Sequence, residues 1–95
     1  MVGTNNLESA FSVAQNYPNP SSTYTMINFT MPIAGDVQFS VKNIMGQDID
    51  AINLGSQSAG THTIKVNTSK LTSGIYFYTV KVGDKEITKK MIVNK

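Results

Sequence analysis

Alternation of apolar and polar side chains with a period of two is the feature that most constrains this fold. In residues 37–42, every second side chain is apolar and the intervening ones are polar, which places one face of a strand in a core and the other in water. Similar alternation recurs in residues 24–31, 61–66 and 86–93. No segment has the 3.6-residue period of an amphipathic helix. The chain is therefore predicted to be all-β.

Two further segments are predicted to be strands of different kinds. Residues 75–82 are aromatic or β-branched nearly throughout, and their apolar side chains at first fall on both faces, as is typical of a central strand. In residues 48–54 the apolar pattern instead changes phase between Ala51 and Ile52. That change predicts a bulge or a short edge strand.

Turn-forming residues separate the predicted strands. They occupy residues 17–22, 32–36, 45–47, 55–60, 72–74 and 83–84. The last of these predicts a tight hairpin between Val82 and Lys85, with Gly83 supplying the positive φ. Together with a first strand near residues 7–13, the pattern gives about seven short strands at intervals of roughly 8–12 residues. We therefore expect an immunoglobulin-like antiparallel β-sandwich.

Residues 71–76 have the form of a tyrosine corner, a feature of immunoglobulin-type sandwiches. A turn that contains Gly74 leads into a strand with Tyr76 near its start. In such a corner the tyrosine hydroxyl bonds to nearby backbone. We therefore expect Tyr76 to have a structural role rather than to bind a ligand.

Composition excludes several kinds of site. The chain has no cysteine, which excludes disulfides, thiolate zinc ligands and a cysteine nucleophile.

Three further residues are considered as candidates for a site. His62 is predicted to be a partly buried or rim residue. Asp48 and Asp50 are predicted to be a solvated pair, because two carboxylates are too few ligands for calcium. There is no phosphate-binding glycine loop, nucleophile elbow or paired-carboxylate signature. No catalytic residue, cofactor or metal is predicted, and we do not expect an enzyme.

Charge is distributed unevenly along the chain. Residues 1–60 carry one lysine and four acidic residues, whereas residues 61–95 carry seven lysines and two acidic residues. Every basic residue is lysine, which argues against nucleic-acid binding because base readout depends on arginine. The basic half either steers the domain toward an acidic partner or keeps it soluble.

The domain organisation is simple. No apolar run approaches the roughly 18 residues of a transmembrane segment, and the N-terminal residues do not have the regions of a signal peptide. We interpret residues 1–6 as linker or added residues and residues 7–95 as one domain, expected to be a piece of a longer polypeptide.

The order of the turn motifs is more specific than any single motif. Residues 14–20 (AQNYPNP) come first, then residues 41–49 (VKNIMGQDI), a strand beginning at Gly60, residues 71–78 (LTSGIYFY) and residues 89–95 (KKMIVNK). From about residue 7 to residue 95, this order resembles the type A C-terminal sorting domain of type IX secretion cargo proteins. The candidate sorting-motif residues are Tyr17, Pro18, Asn19, Pro20, Gly46, Gly60, Leu71, Gly74, Tyr76, Lys89, Lys90, Met91 and Lys95.

Two departures from the family pattern stand out. Residues 21–23 are Ser-Ser-Thr, where the family often has Phe and another Asn-Pro. The basic residue common after the Tyr-Phe-Tyr run is replaced by Thr79 or Lys81 rather than arginine.

The resemblance implies a transport role. Cargo of this kind folds in the periplasm, and its C-terminal domain is recognised by the outer-membrane translocon and by shuttle and sortase proteins. We therefore expect a non-catalytic module, covalently part of a larger cargo protein, that directs the cargo across the outer membrane to the cell surface or medium. It is not expected to bind nucleic acid or to have a transmembrane segment.

An accessory adhesion or carbohydrate-binding module of a secreted enzyme is the alternative, because β-sandwiches often have that role. Sugar platforms favour exposed aromatic rings, with tryptophan preferred, and this chain has no tryptophan. Most of its aromatic residues fall where a core needs them, and Tyr17 and Tyr24 are the exceptions.

Two hypotheses about recognition follow from the motifs. The final strand, residues 85–95, either adds to the sheet edge of a partner while its lysines steer toward acidic loops, or it completes the core while the lysines keep the edge soluble. Residues 18–20 either start a rigid loop or contact a receptor directly.

Overall fold

A computed structural model describes residues 11–95 of the chain. These residues form seven β-strands and no helix. The strands are β1 (Ser12–Val13), β2 (Tyr24–Met31), β3 (Gly35–Asn43), β4 (Asp48–Gln57), β5 (Gly60–Asn67), β6 (Gly74–Val82) and β7 (Lys85–Val93). The predicted all-β class and the number of strands are confirmed. Within this range there is no helix that is long and apolar enough to cross a bilayer.

The strands form two antiparallel sheets. One has the order β1-β2-β5 and the other the order β4-β3-β6-β7. Buried side chains from both sheets form one hydrophobic cluster, so the sheets pack face to face as a β-sandwich, as predicted. β6 lies between β3 and β7, which confirms its predicted central position.

The predicted strand boundaries agree closely with the structure. β2 covers the predicted residues, and β3, β5, β6 and β7 each begin or end within two residues of the prediction. Of the first predicted strand, Ser12 and Val13 pair with Thr30 and Phe29. Residues 7–10 of that prediction, and residues 1–6, lie outside the described residues.

The core follows from the period-two alternation. Apolar side chains at alternate positions of β2, β3, β5, β6 and β7 point between the sheets, and most of the intervening side chains point to water. Fully buried apolar groups of this kind contribute about 1.5–3 kcal/mol each by removal from water. The largest fully buried apolar side chains are Tyr78, Phe29, Phe39, Ile27, Met31, Met91, Val37, Val41, Val80 and Val93.

β4 is the irregular strand of the sandwich. It lies at the edge of its sheet, and its pairing with β3 shifts register twice, leaving Ile49 and Leu54 without a paired residue on β3. An extra residue in one strand reverses which face the following side chains occupy. The structure therefore has the predicted edge position, although β4 is ten residues long rather than short. The register shifts lie within the predicted stretch but not at the phase change itself, where Ala51 and Ile52 pair regularly with β3.

The β6–β7 connection is the tight hairpin that the sequence predicted. Val82 pairs with Lys85, and Gly83 between them has a φ of 62°. A side chain at that left-handed φ would be strained, so glycine is required there.

We expect Phe39→Ala to lower the free energy of unfolding by about 3–5 kcal/mol, because it leaves a cavity between the sheets. Phe39 is 1% exposed, whereas its neighbour Gln38 faces solvent. Gln38→Ala is the matched control and should change stability by less than about 0.5 kcal/mol. Denaturant unfolding of both variants measures the difference, and equal losses would contradict the assignment of faces on β3.

The burial of Tyr78 leads us to expect that the free energy of unfolding depends on pH. Burial raises the pKa of the Tyr78 hydroxyl above its ordinary value of 10.0, and a backbone hydrogen bond at Asn16 partly offsets this rise. The unfolded chain then loses the proton at a lower pH than the folded chain. The contribution of this pKa difference to the free energy of unfolding is fully present below about pH 10. It is lost as pH rises through the pKa of Tyr78 in the folded state.

We therefore expect the free energy of unfolding to fall above pH 10, and the fall to be shallower in Tyr78→Phe. The same variant should be less stable at neutral pH by about 1 kcal/mol, because the Tyr78 hydroxyl donates a hydrogen bond to the Ala14 carbonyl at 2.8 Å. Urea unfolding between pH 8 and pH 11 checks both effects. Parallel curves for the two proteins would contradict the assignment to Tyr78.

Candidate functional site

Residues 15–21, which contain the Tyr-Pro-Asn-Pro motif, lie along the outer edge of β7. The Ser21 amide donates to the Ile92 carbonyl at 2.9 Å, and the Asn94 amide donates to the Ser21 carbonyl at 2.9 Å. Ser21 and Val93 form a parallel bridge. We call residues 15–21 the edge loop and residues 90–95 the terminal segment. The edge loop therefore extends the sheet beyond the last strand.

Two side chains of the edge loop add to this backbone pairing. Asn19 Oδ1 accepts a hydrogen bond from the Ile92 amide at 3.0 Å, and Gln15 Nε2 donates to the Lys90 carbonyl at 2.7 Å. The outward-facing backbone groups between Lys90 and Asn94 are thus already bonded. A sheet edge with unpaired backbone groups is a template for another strand, and this half of the β7 edge is closed.

The edge loop is held in turn by β2. The Tyr17 and Met26 backbones exchange two hydrogen bonds of 2.9 and 2.8 Å. Asn16 is buried, and its Nδ2 donates to Thr25 Oγ1 at 3.0 Å. Thr25 Oγ1 donates to the Pro18 carbonyl at 2.9 Å. The hypothesis of a rigid loop therefore has a structural basis in bonds from Asn16 and Thr25.

The last residue is bound to the loop between β5 and β6. The Lys95 amide donates to Ser73 Oγ at 2.9 Å. Lys95 Nζ donates to the carbonyl oxygens of Thr68 at 2.8 Å and Ser69 at 2.6 Å. A lysine ammonium has three donors, so this head group acts as a cap for irregular backbone. Lys95 is an anchored residue rather than a free charge.

The predicted tyrosine corner is confirmed and adjoins Lys95. Tyr76 is buried, and its hydroxyl donates to the Thr72 carbonyl at 2.8 Å. Leu71, at the start of the same turn, packs against the core, and Gly74 pairs with Val93 of β7. The corner therefore fixes the loop that supplies Ser73 to Lys95.

Most of the candidate sorting-motif residues meet at this end of the sandwich. Gly46, in the β3–β4 turn, is at the same end because neighbouring Asn43 pairs with Tyr76. Gly60 is the exception, since it pairs with Met31 at the far end of β2. Those in or beside the edge loop, the corner and the terminal segment are Tyr17, Pro18, Asn19, Pro20, Leu71, Gly74, Tyr76, Lys89, Lys90, Met91 and Lys95.

These residues divide into buried and exposed groups. Met91 and Tyr76 are in the core and hold the strands in place. Lys89 is half-buried, whereas Lys90 and Lys95 are exposed. Tyr17 is 78% exposed, although its backbone is bonded to β2.

Sequence reasoning missed the polar residues that hold the site together. Four of them act through side-chain hydrogen bonds, namely Gln15, Asn16, Thr25 and Ser73. Two act through backbone groups, namely Ser21 and Thr68. The abundance of Ser, Thr and Asn was the available signal, because short polar side chains fix irregular backbone by local hydrogen bonds. Composition does not indicate which of those residues do so.

The structure gives no sign of a ligand site at the histidine and the two aspartates considered from the sequence. The His62 ring stacks on Phe29 with 5.5 Å between centroids, and its Nε2 bonds to the Ser58 carbonyl at 2.7 Å. It is half-buried, as predicted for a rim residue. Asp48 and Asp50 are exposed, and Asp48 forms an ion pair with Lys42. Residues 11–95 contain no group of three His, Cys, Asp or Glu side chains that is placed to hold a metal.

The two tyrosines considered for a sugar platform are both exposed. Tyr24 is 43% exposed, and Lys65 Nζ lies 5.0 Å from the centroid of its ring. A cation at that distance interacts with the ring face. One face of Tyr24 is thus occupied by a neighbouring side chain.

The fold and this arrangement define a small antiparallel β-sandwich module whose terminal segment is bound by its own edge loop. The family model for the secretion system C-terminal sorting domain matches residues 15–94, a range that begins in the edge loop and ends in the terminal segment. The chain belongs to this family of type IX secretion sorting domains, and the resemblance noted above is confirmed. A comparison with curated proteins finds no match.

Family membership gives the general role. The domain is a type IX secretion sorting signal, and as such it is a tail of a larger cargo that interacts with the secretion system. The family is a non-catalytic signal module, and the role implies export to the cell surface or extracellular space.

We expect Asn19→Ala to loosen the terminal segment locally, because it removes the acceptor of the Ile92 amide. The loss of one such bond corresponds to about 0.5–1.5 kcal/mol, or roughly a twofold to twelvefold faster exchange of the Ile92 amide hydrogen. The amide of Asn94, bonded to the Ser21 carbonyl, should change less.

Asn53→Ala is the matched control for this experiment. Asn53 Oδ1 accepts a hydrogen bond from the Gly55 amide on β4, far from the edge loop in the sheet order. Hydrogen exchange measured by NMR on both variants separates the two sites. Unchanged exchange at Ile92 in Asn19→Ala would show that the Asn19 side chain does not hold the terminal segment.

Proposed function

We propose that this chain is a non-catalytic C-terminal sorting module that directs a larger cargo protein across the outer membrane by type IX secretion, and then to the cell surface or medium. Membership of the sorting-domain family supports the sorting role and export. In this proposal the folded domain passes through the periplasm. It is recognised there by the outer-membrane translocon and by shuttle and sortase proteins of the system.

The binding of the terminal segment by the edge loop and the corner is the observation that carries the proposal. Residues 90–95 are bonded to Gln15, Asn19 and Ser21 on one side and to Ser73 on the other. A surface held in its binding conformation loses less entropy on association than a mobile tail does. The exposed candidate residues of the edge loop and the terminal segment therefore form one preorganised surface built from both ends of the domain, which we call the composite surface.

This arrangement limits the part of the β7 edge to which a partner could add a strand. From Lys90 onward the outer edge is bonded to the edge loop, so a partner strand would have to displace that loop. The edge that the edge loop leaves unbonded runs from Lys85 to Lys89. Recognition of the terminal segment therefore proceeds through side chains of the composite surface rather than through its backbone.

A fusion experiment tests the proposal. Residues 1–95 are joined to the C-terminus of a neutral secreted reporter and expressed in a host with a working type IX system and in a translocon-deficient strain. We expect the reporter at the cell surface or in the medium of the first strain and in the periplasm of the second. Periplasmic retention in both strains, with binding of the domain to a polysaccharide affinity gel, would instead support the carbohydrate-binding alternative.

Lys95→Met tests the terminal anchor within the same fusion. It keeps the apolar stem of the side chain but removes the Nζ bonds to the Thr68 and Ser69 carbonyls, so we expect surface display to fall strongly while the domain stays folded. Truncation of the last five residues is a poorer test, because it also removes Met91 and Val93 from the core.

Lys85→Met is the matched control, since Lys85 lies at the other end of β7 and should leave display unchanged. Thermal unfolding of both purified variants establishes that each domain is folded. Wild-type display by folded Lys95→Met would show that the anchored end of the chain is not needed for sorting.

A further inference from the structure

The outer face of the β4-β3-β6-β7 sheet changes character from one end to the other. Side chains on this face alternate with the buried ones of the core. Across β3, β6 and β7 they form rows of directly paired residues. These rows are Gln38–Lys81–Glu86, Ser40–Thr79–Thr88, Lys42–Phe77–Lys90 and Ile75–Ile92. The first two rows are polar. In the third row Phe77 lies between two lysines, and the fourth row is apolar.

The β3–β4 turn adds two apolar side chains to the apolar end. Ile44 is 68% exposed and Met45 is 79% exposed. Ile44 and Phe77 line the same shallow depression on the sheet surface. We call Ile44, Met45, Ile75, Phe77 and Ile92 the end patch. Ile75 is 37% exposed, whereas Phe77 and Ile92 are half-buried. Adjoining apolar residues that reach the surface mark interaction sites more often than single ones do.

Asn43 fixes the turn that carries the exposed pair. Its Oδ1 accepts hydrogen bonds from the amides of Met45 at 2.9 Å and Gln47 at 3.0 Å. Its carbonyl accepts from the Gly46 amide at 2.9 Å, and its Nδ2 donates to Gln47 Oε1 at 2.8 Å. Because these amides are already bonded, a partner can bury the turn without leaving them unsatisfied.

We infer that the end patch is a docking surface for a folded protein that presents an apolar surface bordered by carboxylates. The inference rests on the proposed function, because it assigns the kind of partner that reads the sorting domain. Lys90 and Ile92 belong to the terminal segment, so the end patch is continuous with the composite surface described above. Within the end patch, Ile92 is bonded to the edge loop through Asn19.

The lysine beside the end patch favours a protein partner over a lipid surface. Phe77 lies between Lys90 and Lys42, and Lys42 is paired with Asp48. Phe77 therefore cannot enter a bilayer unless Lys90 and that ion pair are also taken out of water. Removing ammonium groups from water without a counter-charge is costly. A protein can place a carboxylate opposite Lys90, which has no ion pair among the described residues, and such a pair steers association and fixes its orientation.

The test uses the reporter fusion with Ile75→Thr/Phe77→Thr. Threonine keeps the strand propensity of both positions while removing apolar surface. We expect export to fall by about tenfold or more, as on loss of central apolar contacts of an interface. Gln38→Thr/Ser40→Thr makes the same number of changes on the polar rows of the same face and should be exported like the wild type.

One further double substitution and one pair of single substitutions test the inference independently of the strand variants. Ile44→Thr/Met45→Thr alters side chains that are mostly in solvent, so it should reduce export without unfolding the domain. Lys90→Glu should also reduce export, whereas Lys85→Glu on the same strand should not. Thermal unfolding of each purified variant shows which of them are folded.

The outcomes distinguish this inference from the proposed function. If the wild-type fusion is not exported, the proposed function fails. If it is exported and the folded end-patch variants are exported equally well, only the docking surface is overturned. Binding of the wild-type chain, but not of Ile75→Thr/Phe77→Thr, to vesicles of phosphatidylethanolamine and phosphatidylglycerol would overturn it in favour of lipid. Absence of such binding supports the protein partner.

Discussion

The pairing of the edge loop with the outer edge of β7 is the interaction on which the rest of this end of the molecule depends. It closes the outer edge of β7 from Lys90 onward and joins chain positions separated by 73 and 75 residues through the Asn19 and Gln15 side chains. Edge strands of soluble proteins need protection from pairing with other chains. Here the protection comes from the domain itself, and the same bonds set the position of the terminal residues.

β6 connects this edge to the core. Tyr76 and Tyr78 bury their rings between the sheets, while their hydroxyls bond to the backbone of Thr72 and Ala14. A tyrosine that does both satisfies a polar group and fills apolar volume. One ties the strand to the corner loop, and the other ties it to the segment that leads into the edge loop. The aromatic character of this strand therefore accounts for both the core and the placement of the loops.

Local patterns in the sequence predicted the features that depend on side-chain alternation and turn chemistry. The alternation at Val37, Phe39 and Val41 located β3, the phase change near Ala51 located the irregular edge strand, and Gly83 located a hairpin. The pairing of Ser21 with Ile92 and Asn94 could not be predicted in this way, because it is made by backbone groups rather than by particular side chains. The same holds for the capping of the Thr68 carbonyl by Lys95. Apolar residues on both faces of β6 indicated a central strand, but only the pairing showed that Ile75 and Phe77 adjoin Ile92 and Lys90.

The separation in sequence between the edge loop and β7 also governs the order in which the domain folds. Contacts between neighbouring strands such as β6 and β7 close short loops, whereas the bonds from Gln15 and Asn19 close nearly the whole chain. Because the entropy of closing a loop grows with its length, long-range contacts form late in folding. Until they do, the backbone of Lys90–Asn94 is an open edge, and a chaperone or carrier that binds extended chains has that interval in which to bind it.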